Sequence, residues 1–370
     1  MKLLLRRIHL TLALISAIFL LTLSISGALL LYAKDIQRTL FPDQWTISPP
    51  PTTINVEQLI ATIEQQHAVN VSLITLPKDP SAPWQFRLAS GTYMNVDPQT
   101  QSVIHQYDYY STFYGFLMAF HRWLAIDNVN KPLKVFMSIA SLCLVVQLIL
   151  GFYLWFKPKK PLKRLKVRWQ AKAKTKYAQL HNVTGVIVLL PLVLIAISGM
   201  AFHWSVPIQT LLNGLFVGEI QTLQKHTVNE TNSNRLQINQ AVVNAQKVFP
   251  DASLYRIYIP SEQTEPIRLR YTQPAEAHGN SWLWAHPSTG ETIEHFDASR
   301  ANWVTQVWNF RYPFHVGEFI GWPIKLLWLV ISLTPIFFVV TGFYLYFSRK
   351  PSNQKSTQKQ TRQDNLQTLK

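Results

Sequence analysis

The stretch LHNVTGVIVLLPLVLIAISGMAFHW, Leu180 to Trp204, decides how this chain is read. A helix needs about 20 consecutive apolar residues to cross the hydrocarbon core of a bilayer, and this run is long enough. It nevertheless carries an imidazole near each end, His181 and His203. Ionisable groups are costly in lipid and generally face a bundle interior, so these two ask for a purpose.

Three further runs have the same character: Ile8 to Ala33, Leu133 to Phe156 and Trp322 to Phe347. Together they predict a polytopic α-helical membrane protein with four transmembrane helices. Hydrophobic residues make up 48% of the 370 and charged residues only 15%, which is low for a soluble protein. The single cysteine, Cys143, excludes an internal disulfide and a thiolate metal cage. The first run is long for a signal-peptide core and no A-x-A site follows it, so it is expected to remain as a span. Pro191 and Pro335 lie inside spans, where neighbouring helices can absorb the freed carbonyls.

Charge sets the expected topology. Lys157 to Lys176 contains ten basic residues and no acid. Lys2, Arg6 and Arg7 precede the first run, and six basic residues against Asp364 follow the last. The two long connections hold fourteen basic and eighteen acidic residues between them. Basic loops stay on the cytoplasmic side. Both termini are therefore expected in the cytoplasm and both long connections outside it. The net charge of +16 is a topology signal and an anionic-lipid contact, not a nucleic-acid footprint. The expected division is 1–33 (N-terminus and first span), 34–131 (first outer module), 132–156 (second span), 157–177 (basic loop), 178–204 (third span), 205–321 (second outer module), 322–347 (fourth span) and 348–370 (disordered tail).

The two halves repeat each other. His9 precedes Ser26–Gly27, and His181 precedes Ser198–Gly199, with eighteen residues from histidine to glycine in each case. The second span ends GFYLWFKPKKP and the fourth GFYLYFSRKP; Pro132 and Pro323 each precede their glycine, Gly151 and Gly342, by nineteen. His121 (in FHRWL) and His315 (in FHVGE) occupy equivalent places before the even-numbered spans, apart from a three-residue gap. Each connection reads as an amphipathic helix followed by alternating strands and a turn, DPQT in one and HPSTG in the other. The expected architecture is two parallel helix–module–helix repeats carrying two small α+β modules. SPPPTT (Ser48 to Thr53) reads as a stiff linker into the first.

With these features the chain resembles the PepSY-associated transmembrane proteins, which include iron-regulated inner-membrane proteins and siderophore-iron reductases. The resemblance covers roughly Arg6 to Pro351. It implies a bacterial inner-membrane protein with PepSY-like periplasmic modules and a link to iron acquisition. It also implies haem b held between the helices in some members, with electrons passed to ferric siderophores on the periplasmic face.

The residues point the same way. Histidine is an axial ligand of haem iron, and an apolar macrocycle suits a helical bundle. His9 with His181, and His121 with His315, lie at matching depths if the halves pack about a two-fold axis normal to the membrane. One or two haems per chain are thus expected. His203 lies twenty-two residues past His181, about 33 Å along a straight helix, and is an alternative outer ligand. Its counterpart in the first half is Leu31. Arg6, Arg7 and Arg122 adjoin these candidates and are read as propionate partners or, for the first two, topology anchors. Gly27, Gly151, Gly199 and Gly342 are read as macrocycle contacts or close-packing positions. The other histidines show no zinc spacing.

The leading expectation is a haem-containing reductase that passes electrons across the membrane to a periplasmic ferric chelate, such as a ferric siderophore, and releases Fe(II). No cytoplasmic segment is long enough for a flavin or nicotinamide domain, so a separate donor, a cytoplasmic reductase or membrane quinol, is expected. The alternative is a non-enzymatic membrane scaffold that restrains proteases or binds envelope partners. A transporter ranks lower, because the spans lack coupling carboxylates.

Overall fold

The computed structural model describes residues 1–49, 54–126, 133–156, 161–229, 236–274 and 276–348. Most of the linker SPPPTT, together with Pro132, the first part of the basic loop and the tail, lies outside the described residues.

One order of elements runs through the chain twice. The first half contains α1 (Lys2–Leu30), α2 (Ala33–Leu40), α3 (Pro42–Trp45), α4 (Val56–His67), β1 (Val71–Thr75), β2 (Trp84–Leu88), β3 (Tyr93–Asp97), β4 (Ser102–Tyr107), α5 (Phe113–Trp123) and α6 (Leu133–Phe156). The second contains α7 (Ala173–Ile187), α8 (Leu189–Met200), α9 (Ser205–Leu215), α10 (Ile238–Val248), β5 (Ser253–Tyr258), β6 (Ile267–Thr272), β7 (Ser281–Ala285), β8 (Thr292–Phe296), α11 (Trp303–His315) and α12 (Trp322–Phe347). Short 3₁₀ turns capped by Asp108 and Asp297 lead into α5 and α11. Thr112 and Asn302 cap those helices through side-chain oxygens.

Helices α1, α6 and α12 are each long and apolar enough to cross a membrane, and α7 with α8 makes a fourth path. The protein is a multi-pass membrane protein. Ile15, Ile18, Leu190, Val330 and Val340 point outward, as lipid-facing positions do. Leu20, Leu144, Leu192, Met200 and Ile331 fill the interior. Polar residues inside the bundle find partners: the Ser24 hydroxyl donates to the Ser332 carbonyl, and Gln147 Nε2 donates to Ser16 Oγ at 3.1 Å.

The third path departs from the straight helix expected between Leu180 and Trp204. It bends by 64° between α7 and α8. Pro191 offers no N–H to the Ile187 carbonyl and its ring crowds that oxygen, so the chain leaves helical geometry at Val188. The helix also starts earlier than expected, at Ala173, and ends at Met200, leaving His203 and Trp204 in a turn. Pro335, by contrast, is buried inside the unbroken α12.

The two expected modules are fused. All eight strands form one sheet in the order β4-β3-β2-β1-β5-β6-β7-β8. The join is the antiparallel pair β1–β5, with Ile74 opposite Ile257. Helices α4 and α10 cover one face, where Leu59, Ile63, Phe86, Ile238, Ile257 and Leu269 form a continuous core. The helix starts are also stitched across the halves: the Val56 amide donates to Asn239 Oδ1 at 3.0 Å and the Asn239 amide to Glu57 Oε1 at 2.9 Å. Strand alternation sends Arg268 and Arg270 to the opposite side from Ile267 and Leu269.

Candidate functional site

Four of the histidines meet in two pairs. His9 on α1 and His181 on α7 have ring centres 6.5 Å apart with planes inclined by 76°. His121 on α5 and His315 on α11 have ring centres 6.3 Å apart at 58°. The first pair lies by the N-terminal end of α1 and is called the basic-end pair here; the second lies toward the sheet.

Each imidazole is oriented through Nδ1. His9 Nδ1 lies 3.1 Å from the Gln147 carbonyl, and His181 Nδ1 lies 2.7 Å from Thr341 Oγ1. His121 Nδ1 is 2.9 Å from Ser26 Oγ, and His315 Nδ1 is 3.1 Å from Ser198 Oγ and 3.0 Å from the Ile195 carbonyl. Direction follows from proton counting. Ser26, Ser198 and Thr341 already donate their hydroxyl protons to the carbonyls of Thr22, Ile195 and Phe337, and a carbonyl only accepts. The proton in all four contacts therefore sits on ring Nδ1, which leaves the lone pair on Nε2. That is the tautomer a metal-ligating histidine takes when its other nitrogen donates to an outer partner.

The repeat glycines seat these rings. Residue Gly151 is four beyond Gln147, and Gly199 is four beyond Ile195. A side chain four residues on flanks a helical carbonyl, so glycine there lets an imidazole reach it. A Cβ at Gly199 would stand 2.9 Å from His315 Cε1, one at Gly27 would stand 3.2 Å from His121 Cε1, and one at Gly151 would stand 3.5 Å from His9 Cε1. Gly342 has no such neighbour; in its place Thr341, one residue earlier, holds His181 through its hydroxyl. The Ser-Gly step common to both halves thus has one acceptor and one gap, each used by the histidine of its own half. Sequence alone assigns those glycines to packing or to macrocycle contact and gives no role to Ser26, Ser198, Thr341 or Gln147. The signal was present as a hydroxyl beside a glycine at the same place in each repeat.

A family model for the PepSY-associated TM region matches residues 6–349. The chain belongs to this family. No curated protein matches it.

In this PepSY-associated protein the remaining candidates are not members of the two ring pairs. His203, read as an alternative ligand on the sheet side, hydrogen-bonds Ser138 Oγ on α6 at 2.8 Å and stacks on Trp204. Arg6 and Arg7 are exposed beside the basic-end pair. Arg122 is exposed, with its guanidinium 5.3 Å over the Trp123 ring. Among the described residues no three histidine, cysteine or carboxylate side chains gather as a metal cluster.

The spacing within each pair suits a metal ion between its rings. An imidazole with ring bonds of about 1.35 Å has its nitrogens about 1.2 Å from the ring centre. With metal–nitrogen bonds of about 2 Å, an ion between two Nε2 atoms sets the ring centres about 6.4 Å apart. The two observed separations, 6.5 and 6.3 Å, bracket that value.

Proposed function

We propose that the chain is a haem-containing inner-membrane reductase that delivers electrons to a ferric chelate, such as a ferric siderophore, on the face that carries the sheet. The observation that carries the reading is the duplication: two histidine pairs at metal-bridging separation, each ring held through Nδ1. His9 and His181 would hold one haem b, and His121 and His315 the other. Haem at these positions supplies one-electron exchange at an iron whose potential its axial ligands tune.

The chain's own contribution is orientation and exclusion of water. Hydrogen bonding at Nδ1 raises ligand basicity and locks each ring. Apolar surface is available at the depth of the sheet-side pair, where a cleft of about 310 Å³ lies between α1 and α12 against Ile25, Ala28, Leu29 and Leu333. His121 and His315 are reached from the sheet through aromatic side chains: Phe202 meets His315 at 5.5 Å and Tyr312 at 6.1 Å. Chelated iron taken from Fe(III) to Fe(II) loses affinity for hard oxygen donors. The basic residues near the α1 start and the α6–α7 connection support cytoplasmic termini, with electrons drawn from a separate donor there.

The deciding experiment is an absorption spectrum of the detergent-purified protein, oxidised and dithionite-reduced, with a haem-to-protein ratio. A bis-histidine spectrum at two haems per chain is expected. A colourless protein from haem-replete cells overturns the reading and leaves a membrane scaffold.

A further inference from the structure

The sheet presents a cationic, tyrosine-rich face to the helices that carry the sheet-side histidines. Arg256 stacks 4.8 Å over Tyr255, and Arg270 lies 5.6 Å from Tyr255 and 5.2 Å from Trp282. Tyr255 meets His278 at 5.3 Å, and His278 meets Tyr312 of α11 at 4.6 Å. From the other half, Tyr93 meets Tyr109 at 5.3 Å, and Tyr109 meets Tyr114 of α5 at 6.3 Å. Arg311 stands one helical turn before His315, 5.7 Å over Phe202 and 3.8 Å over Trp308. Lys34 interacts electrostatically with Arg256 from the start of α2.

The charges do not balance. Arg256, Arg270, Arg311 and Lys34 gather here, and the acids near them are Glu318 and Asp35. Asp35 is engaged by Lys325 at 3.4 Å. The Nε atoms of Arg256 and Arg311 are buried with no hydrogen-bond partner. Arg311 Nη1 donates to the Trp308 carbonyl at 2.7 Å and Arg270 Nε to the Gly279 carbonyl at 2.6 Å, but a buried Nε–H without an acceptor is costly, and stacking on rings recovers part of that cost. The field shows in its neighbours: burial and the nearby Arg270 and Arg256 push His278 down to about 3, and burial and Arg270 lower Arg311 to about 10. An anion docked on the partly exposed Arg256, Arg270 and Arg311 relieves the charge excess and offers acceptors to their free donors.

We propose that the partly exposed arginine cluster of Arg256, Arg270 and Arg311, where the sheet meets helix α11, binds a polyanionic, oxygen-donor metal chelate of the catecholate or carboxylate type. It selects such a chelate over neutral or cationic hydroxamates of the same size. The bound anion lies one aromatic side chain, Phe202, from His315. The identification of the cargo as a metal chelate rests on the reductase reading; the preference for anions rests on the arginines.

The test uses gallium(III) chelates, which bind as the ferric ones do but are not reduced, so that binding is read apart from electron transfer. Isothermal titration of the full chain in detergent compares a trianionic gallium tris-catecholate with a neutral gallium tris-hydroxamate. The tris-catecholate is expected to bind at least about tenfold tighter, with affinity falling as salt rises. Arg256→Gln, Arg270→Gln and Arg311→Gln are each expected to weaken it about tenfold, as loss of a charge-assisted contact does, with the hydroxamate affinity, melting temperature and visible spectrum unchanged. Equal affinity for the two chelates overturns the proposal. So does unchanged tris-catecholate affinity in all three variants. Loss of visible absorbance in Arg311→Gln with tris-catecholate affinity retained also overturns it, and gives that arginine to the haem propionates. A colourless protein that still prefers the trianion leaves this proposal standing and removes the reductase reading.

Discussion

The two histidine pairs are built alike and placed differently. In both, Nδ1 donates to an oxygen on a span of the same half, and three of the four rings lie over a glycine. Their surroundings diverge. The basic-end pair adjoins exposed Arg6 and Arg7 and the ring of Phe338, 5.1 Å from His181. The sheet-side pair is carried on α5 and α11, helices that follow directly from the sheet, and His315 meets Phe202, which Arg311 overlies. One device is repeated at two ends of a bundle, and the sheet lies at one of them.

Removing a ligand should separate the pairs most sharply. His121→Ala or His315→Ala is expected to halve the haem content and abolish ferric-chelate reduction. His9→Ala or His181→Ala is expected to halve the haem content while the remaining haem still reoxidises on adding ferric chelate. Pyridine haemochrome analysis with stopped-flow reoxidation checks this; identical kinetics in all four variants would erase the functional distinction.

The outer partners come next. Ser198→Ala leaves His315 its second acceptor, the Ile195 carbonyl, whereas Thr341→Val leaves His181 none that is described. Loss of such partners costs roughly 10–100-fold in metal affinity, so haem retention on dilution should fall more in Thr341→Val than in Ser198→Ala. The reverse order would break the proton-counting argument.

Alanine at the seats should grade by space. Gly199→Ala displaces His315 most, Gly27→Ala shifts His121 slightly and Gly151→Ala is near neutral, following contacts of 2.9, 3.2 and 3.5 Å. Soret position and haem content across the three variants measure it.

The smallest effects lie in the sheet domain and depend on pH. His278 titrates at about 3 when folded against 6.5 when free, so the unfolded chain binds more protons between those values. Stability is full above pH 6.5 and falls as pH drops toward about 3. His278→Gln is expected to flatten that part of the melting-temperature profile. Asp79 behaves as a carboxylate held low by Ser81 and Arg38, at about 2. Its contribution is present above pH 3.8 and lost as pH falls through about 2, so Asp79→Asn should lower the melting temperature slightly at neutral pH and leave it unchanged below about pH 2.

Much of this protein is legible along the chain. Run length and apolarity determine that helices cross a membrane, because an unpaired peptide group in lipid is too costly for any other local solution. Helix, module and helix recur in sequence, and the spacing from His9 to Gly27 and from His181 to Gly199 already aligns the halves. Three features needed the tertiary structure. Pro191 bends its span while Pro335 does not, because the outcome depends on what neighbours pack around the freed carbonyl. The modules join into one sheet because β1 and β5 each bring an open edge to the other, and an edge finds its partner only in space. The Ser-Gly steps became histidine seats only when α5 and α11 folded back onto α1 and α8, since a hydroxyl beside a gap has no assignable role until a ring is brought to it.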